Sequence, residues 1–191
     1  AAGDGEESAG MAVGHAAVFD TPSQPIWDWW MGEFVEEVRR GAFLKTIGEA
    51  DIRFLINHDP NLILARNKAG TLRLAEDEIG LAMEGDLAPT SYGRDLAASM
   101  RRGDVTQMSI MFSVVKDDWV GTRDGLPLRV ISEVKLYDVS AVTFPAFDET
   151  DIGMRSRDVG ALLRSLGLAD VPAEQRNSLI AALTRGVPIT S

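Results

Sequence analysis

Gln107-Met108-Ser109-Ile110-Met111-Phe112-Ser113-Val114 is the stretch on which the fold turns. Met108, Ile110, Phe112 and Val114 alternate with Gln107, Ser109, Met111 and Ser113. A period of two sends the first set to one face of an extended chain and the second to the other, so the stretch is predicted to be a strand buried on one side. The same alternation continues outward on both sides. It appears in Ile52, Phe54 and Ile56, in Leu72 and Leu74, in Ile79, Leu81 and Met83, and in Val130, Val134 and Leu136. Several short strands separated by turn residues predict an α+β chain built on a closed or nearly closed, barrel-like, mostly antiparallel sheet with peripheral helices. One helix interrupts the series. Thr90 or Ser91 caps it, Tyr92, Leu96 and Met100 line one face, and Gly103 ends it.

Toward the N-terminus, Met11–Phe19 reads as a strand and Glu33–Gly41 as a short amphipathic helix with Phe34, Val35 and Val38 on one face. Between them, Trp27, Trp29 and Trp30 are expected to pack against the barrel. Ala1–Gly10 is small and acidic without apolar periodicity and reads as a disordered arm. The chain opens on Ala rather than Met, as a processed product or a fragment would, and no basic stretch leads into an apolar one as in a secretory signal. After Pro145 the period changes. Val159, Leu162, Leu163 and Leu166 recur at helical spacing up to Gly167, and a second helix is expected from Asp170–Pro172 to Gly186. The expected organisation is an arm over 1–10, a main domain over 11–152 and a tail of two short helices over 153–191.

Composition narrows the chemistry. The 191 residues carry 19 basic against 29 acidic side chains, a net charge of −10. Such a chain repels phosphate backbones, so nucleic acid is not expected as the main partner. The longest strictly apolar run is Leu179–Leu183, far short of a membrane-spanning helix. There is no cysteine, which removes disulfides, thiolate metal sites and thiol nucleophiles together. No metal or cofactor is expected. Only two histidines, His15 and His58, can titrate near neutrality.

His58 ends the strand-like run Phe-Leu-Ile-Asn-His-Asp-Pro, a place from which an imidazole reaches a cleft. Ser109 lies on the polar face of its strand. Glu133 lies on the next predicted strand, Arg129–Tyr137; with the connecting turn centred near residues 121–123, the residue opposite Ser109 falls between 133 and 137. A hydroxyl, an imidazole and a carboxylate suffice for acyl transfer, because an alcohol needs an adjacent base and the base needs a fixed tautomer. Each residue also has a plain structural reading: a turn histidine, a polar-face serine, a surface glutamate paired with a lysine or arginine. Paired carboxylates, Asp51 with Asp59 or Glu84 with Asp86, leave a glycosidase as another reading, though no aromatic sugar cleft surrounds them.

Four segments occur in a telling order: Arg40-Gly41-Ala42-Phe43, Asn57-His58-Asp59-Pro60, Met108-Ser109-Ile110-Met111-Phe112, and Leu136-Tyr137-Asp138-Val139-Ser140-Ala141-Val142-Thr143-Phe144-Pro145-Ala146. Together they resemble the HK97-type prohead (capsid maturation) serine proteases of tailed phages, which are related in fold to the herpesvirus assemblins. The resemblance spans about Val13 to Ile152. It implies Ser109 as nucleophile, His58 as base and an acidic third member, assigned to Glu133 with Asp138 as its rival. It also implies a peptidase acting inside the immature capsid, with the phage scaffold or the scaffold-like arm of the major capsid protein, and the protease itself, as substrates. Self-association is a further expectation. The chain departs from the family pattern in three respects: Met111 stands where glycine is expected, so does Ala65, and the assemblin arginine pair of the oxyanion hole has no clear match. The competing reading is a catalytically silent capsid- or scaffold-associated protein of the same fold. The enzyme reading expects the His58 ring within about 2.6–3.2 Å of Ser109 Oγ, with Glu133 on the other ring nitrogen.

Overall fold

The computed structural model describes residues 8–145 and 149–155. In these residues the chain forms ten strands and two α-helices: β1 (Gly10–Val18), β2 (Ile26–Asp28), β3 (Gly32–Val38), α1 (Leu44–Glu49), β4 (Arg53–Ile56), β5 (Asp59–Arg66), β6 (Leu72–Glu76), β7 (Gly80–Leu87), α2 (Ser91–Arg102), β8 (Gln107–Arg123), β9 (Leu126–Val142) and β10 (Asp151–Arg155). The mostly β, few-helix composition agrees with the sequence. The expected tail helices lie outside the described residues. So do the first seven positions of the expected arm; Ser8 and Ala9 are tied by hydrogen bonds to Leu87 O, and Gly10 opens β1.

The strands make two open sheets rather than one closed barrel. One has the order β10-β1-β7-β6 and is antiparallel throughout. The other runs β2-β3-β9-β4-β5, with β8 also paired to β9. Its centre is mixed, because β3 and β4 both run parallel to β9. Side chains from both sheets and from α2 share one core, including Ala12 and Ala16 of β1, Phe54 of β4, Met83 of β7, Leu96 of α2, Met108 and Ile110 of β8, and Leu136 and Val139 of β9.

β9 organises the second sheet. Its Leu128–Ile131 half pairs with Val35–Val38 of β3, and its Asp138–Ala141 half with Arg53–Ile56 of β4. Between these halves the backbone edge would be orphaned, and α1 with its entry loop fills the gap. Ala42 O accepts from Val134 N at 3.1 Å, and Thr46 Oγ1 accepts from Leu136 N at 3.0 Å. Burying unpaired backbone groups is costly, so this short helix is held by the sheet rather than by its own length.

Glu33–Gly41 departs from its predicted helix: residues 32–38 form β3. Glu36 and Glu37 mimic the solvent face of a helix in the sequence, yet both are buried. Arg129 Nη1 meets Glu36 Oε1 at 2.9 Å and Arg123 Nη1 meets Glu37 Oε1 at 2.6 Å. These ion pairs let the strand bury acidic positions that its sequence presents as polar. The tryptophans also depart from expectation. Trp27, Trp29 and Trp30 do not pack into the core but stand exposed on the β2–β3 hairpin. Asp28 Oδ1 accepts from the backbone N–H groups of Trp30 and Met31, which fixes that turn without burying its rings. The predicted helix over 90–102 is α2; Thr90 caps it by accepting from Gly93 N, and Gly103 at φ 81° ends it.

Candidate active site

His58 sits in a turn, not at a strand end. Asn57 and His58 join β4 to β5 as a two-residue hairpin loop, with φ values of 49° and 58°. Positive φ at both positions is the I′ geometry that suits twisted strands, and asparagine and histidine tolerate it better than most residues. The strand β9 pins the loop down. Asn57 N donates to Ala141 O at 3.0 Å, Asn57 Oδ1 accepts from Thr143 N at 3.0 Å, and His58 N donates to Ser140 Oγ at 3.2 Å. Surroundings that specify a left-handed backbone this fully are a mark of functional turns.

The ring is oriented by an aspartate. His58 Nδ1 lies 2.7 Å from Asp138 Oδ1. Asp138 accepts a second hydrogen bond at the same oxygen, from Ser140 Oγ at 2.7 Å. Asp138 and Ser140 are both buried, 4% and 0% exposed, while the His58 side chain keeps a quarter of its surface open. A buried carboxylate on Nδ1 needs a proton there, which leaves Nε2 with its lone pair. Nε2 has no hydrogen-bond partner among the described residues.

Ser109 reaches this cluster through the sheet register. It stands directly opposite Ser140 in the antiparallel β8–β9 pair, and Leu55 of β4 stands beside Ser140 on the other flank. Cross-strand partners put their side chains on one face with Cβ atoms about 4.5–5.5 Å apart. Ser109, Ser140 and Asp138 therefore share the face over which the His58 ring lies, with Met111 opposite Asp138. The expected direct hydrogen bond between Ser109 Oγ and the His58 ring is not formed among the described residues. Such contacts commonly tighten only when substrate arrives.

Glu133 is elsewhere, and the expected contact with the His58 ring is not formed. It pairs with Lys116 in the hairpin register and its Oε1 accepts from Lys45 Nζ at 2.9 Å. The reason is the turn. Asp124 and Gly125, both at positive φ, close the β8–β9 hairpin later than the sequence estimate, which moves the partner of Ser109 beyond the 133–137 window to Ser140. Glu133 instead borders a cavity of about 320 Å³ with Lys45, Glu49, Val115 and Lys135. In the alternative carboxylate pairs, Asp51, Glu84 and Asp86 are bound to arginines, and Asp59 Oδ1 accepts from Asn61. The Arg66 hydrogen bond, with Arg53 beside it, holds the Asp51 carboxyl down at about 2, and Arg73 bonds both Glu84 and Asp86. A glycosidase acid needs the opposite shift.

Ser140 was missed as a site residue. The signal was present: it lies two positions after Asp138 on one strand, so both must face the same way.

A family model described as caudovirus prohead serine protease matches residues 2–165. The chain belongs to that family. Among curated proteins, the prohead protease of Enterobacteria phage HK97 is 42% identical over 88 residues, 44% of this chain and 38% of the HK97 protein. The match thus spans under half of that relative's length. Among solved structures, Kaposi's sarcoma-associated herpesvirus (KSHV) protease with a hexapeptide phosphonate inhibitor aligns with a TM-score of 0.44 at 10% identity, covering 92% of this chain and 76% of that one. The same herpesvirus protease with an allosteric inhibitor aligns with a TM-score of 0.41 at 13% identity, covering 92% of this chain and 91% of that one. Among the described residues no cluster of metal-ligating side chains occurs, and no helix is long and apolar enough to cross a membrane.

Proposed function

We propose that this member of the prohead protease family is a serine endopeptidase of capsid maturation, with Ser109 as nucleophile, His58 as base and Asp138 as the residue that holds the base. The observation that carries the reading is the 2.7 Å bond from His58 Nδ1 to the buried Asp138, made on the face that bears Ser109. In the reaction His58 Nε2 takes the Ser109 hydroxyl proton as Oγ bonds to the scissile carbonyl carbon. The same ring then returns the proton to the leaving amine, and water hydrolyses the acyl-enzyme by the same route. Asp138 keeps the Nδ1 proton in place and stabilises the transient imidazolium. Family membership points to the phage scaffold or the scaffold-like arm of the major capsid protein as substrate, to cleavage of the protease itself, and to action inside the immature capsid.

Incubation with the neighbouring capsid or scaffold protein, read by mass spectrometry, tests the reading. The wild type is expected to yield defined fragments and to label at Ser109 with a fluorophosphonate. Ser109→Ala is expected to do neither while keeping its fold. Cleavage by that variant at the wild-type rate removes the assignment. A wild type that neither labels nor cleaves supports the catalytically silent capsid-associated protein instead.

A further inference from the structure

We infer that Thr150, a residue outside the triad, is the positioning residue for the nucleophile; the inference rests on Ser109 holding that role. Its hydroxyl lies against the backbone of the residue just before Ser109. Thr150 Oγ1 accepts from Met108 N at 3.0 Å and donates to Met108 O at 2.7 Å. One hydroxyl serves both groups because it is donor and acceptor at once. Two residues on, Ile152 N donates to Thr106 O at 2.9 Å, so the segment entering β10 grips the start of β8 and the residue just before it at two same-parity positions.

The consequence for Ser109 follows from sheet geometry. In an antiparallel pair, successive residues turn both backbone groups alternately toward the partner strand and away from it. Met108 turns both away from β9, to Thr150, so Ser109 turns both toward β9, to its partner Ser140. Ser140 also receives His58 N. Two hydroxyls therefore set the gap between serine and imidazole: Ser140 holds the histidine turn and Thr150 holds the serine strand. Both are buried, as is Met108 at 0% exposure, so water does not readily replace either bond. The segment is itself fastened. Asp151 Oδ1 accepts from the backbone N and the ring of His15, and Gly14 lets β10 approach so closely that a Cβ there would lie 2.0 Å from Asp151 O.

Thr150→Val keeps the shape of the side chain and removes both bonds. In the whole chain, this variant is expected to react with a fluorophosphonate at Ser109 about tenfold or more slowly than wild type, since small displacements at a reacting centre are expensive. Thr150→Ser, which keeps the hydroxyl, is expected to restore the rate to within about threefold. Thr46→Val is the matched control: it removes another buried threonine bond to a strand N–H, that of Leu136, away from the site. It is expected to lower Tm comparably and to label at the wild-type rate. Should Thr150→Val not fold, Thr150→Cys replaces it, its thiol being a much weaker donor and acceptor, with the same order of rates expected. Equal labelling of wild type and the Thr150 variant, or equal slowing by Thr46→Val, overturns the inference. A wild type that does not label at Ser109 at all removes the nucleophile reading first, and this inference with it.

Discussion

His15 and His58 are the two histidines of the chain, and aspartates hold both. His15 on β1 is bonded at each ring nitrogen, with Nδ1 3.1 Å from Asp151 Oδ1 and Nε2 2.8 Å from Asp77 Oδ2. His58 is bonded to a carboxylate at Nδ1 alone. A neutral imidazole has one N–H, so two carboxylate acceptors require the doubly protonated ring at His15. Burial lowers the His15 pKa, but the hydrogen bonds and charges of Asp77 and Asp151 raise it by more, and the net shift is upward. One partner fixes a tautomer and leaves a base; two partners make a latch. On the proposed function, the same pair of residue types is a base with its orienting acid in one place and a fastening in the other, and the number of carboxylates distinguishes them.

The comparison breaks most decisively on activity. His58→Ala and Ser109→Ala are each expected to lower kcat/KM by about 10³-fold or more, nearly as much as the double variant, because the parts act as one unit. His15→Gln is expected to stay within about twofold of wild type in a peptidase assay. Next in size is the carboxylate. Asp138→Asn is expected to cost about 10²–10⁴-fold in kcat, through loss of the correct tautomer, whereas Asp77→Asn lowers Tm and leaves kcat in place. Ser140→Ala, which frees one side of both Asp138 and the His58 backbone, is expected to cost roughly tenfold in kcat at unchanged KM.

The latch has a pH signature of its own. The folded His15 pKa lies above the ordinary 6.5, so its contribution to stability is complete below that value and is lost as pH rises through the raised one. The His15 ring, with Gly80 N–H beside it, holds the Asp77 carboxyl down at about 2, below the ordinary 3.8. That contribution is present above the ordinary value and is lost as pH falls toward about 2. The Tm advantage of wild type over His15→Gln is therefore expected to be largest between about pH 4 and 6.5 and to shrink as pH rises above that range. A pH-independent difference, read by calorimetry, removes the charged latch. The smallest effect belongs to Glu133→Gln, expected within about twofold of wild type in activity, since its partner is the exposed Lys45.

Local pattern was enough for the elements that carry the site. The alternation around Ser109 assigned it a strand and a face, and Thr90 and Gly103 bounded α2, whereas His58 read as a strand end and lies in the turn just beyond it. These readings depend on residues within a few positions of one another, where backbone sterics and side-chain period act directly. What the sequence left open was pairing. Which carboxylate meets the His58 ring, Asp138 rather than Glu133, depended on where the β8–β9 hairpin turns, and Asp124-Gly125 fixes that register only together with the bulges along seventeen-residue strands. β3 read as a helix because its buried glutamates find Arg123 and Arg129, nearly a hundred positions away. Whether the strands close into a barrel depends on which edges meet, and a strand carries no local mark of its neighbour. Thr150 shows the same limit: an isolated threonine in an acidic stretch, it finds Met108 across forty-two residues only once the chain has folded. Period and turn chemistry are properties of a segment, whereas register, ion pairing and burial of polar groups are settled by the energy of the whole core.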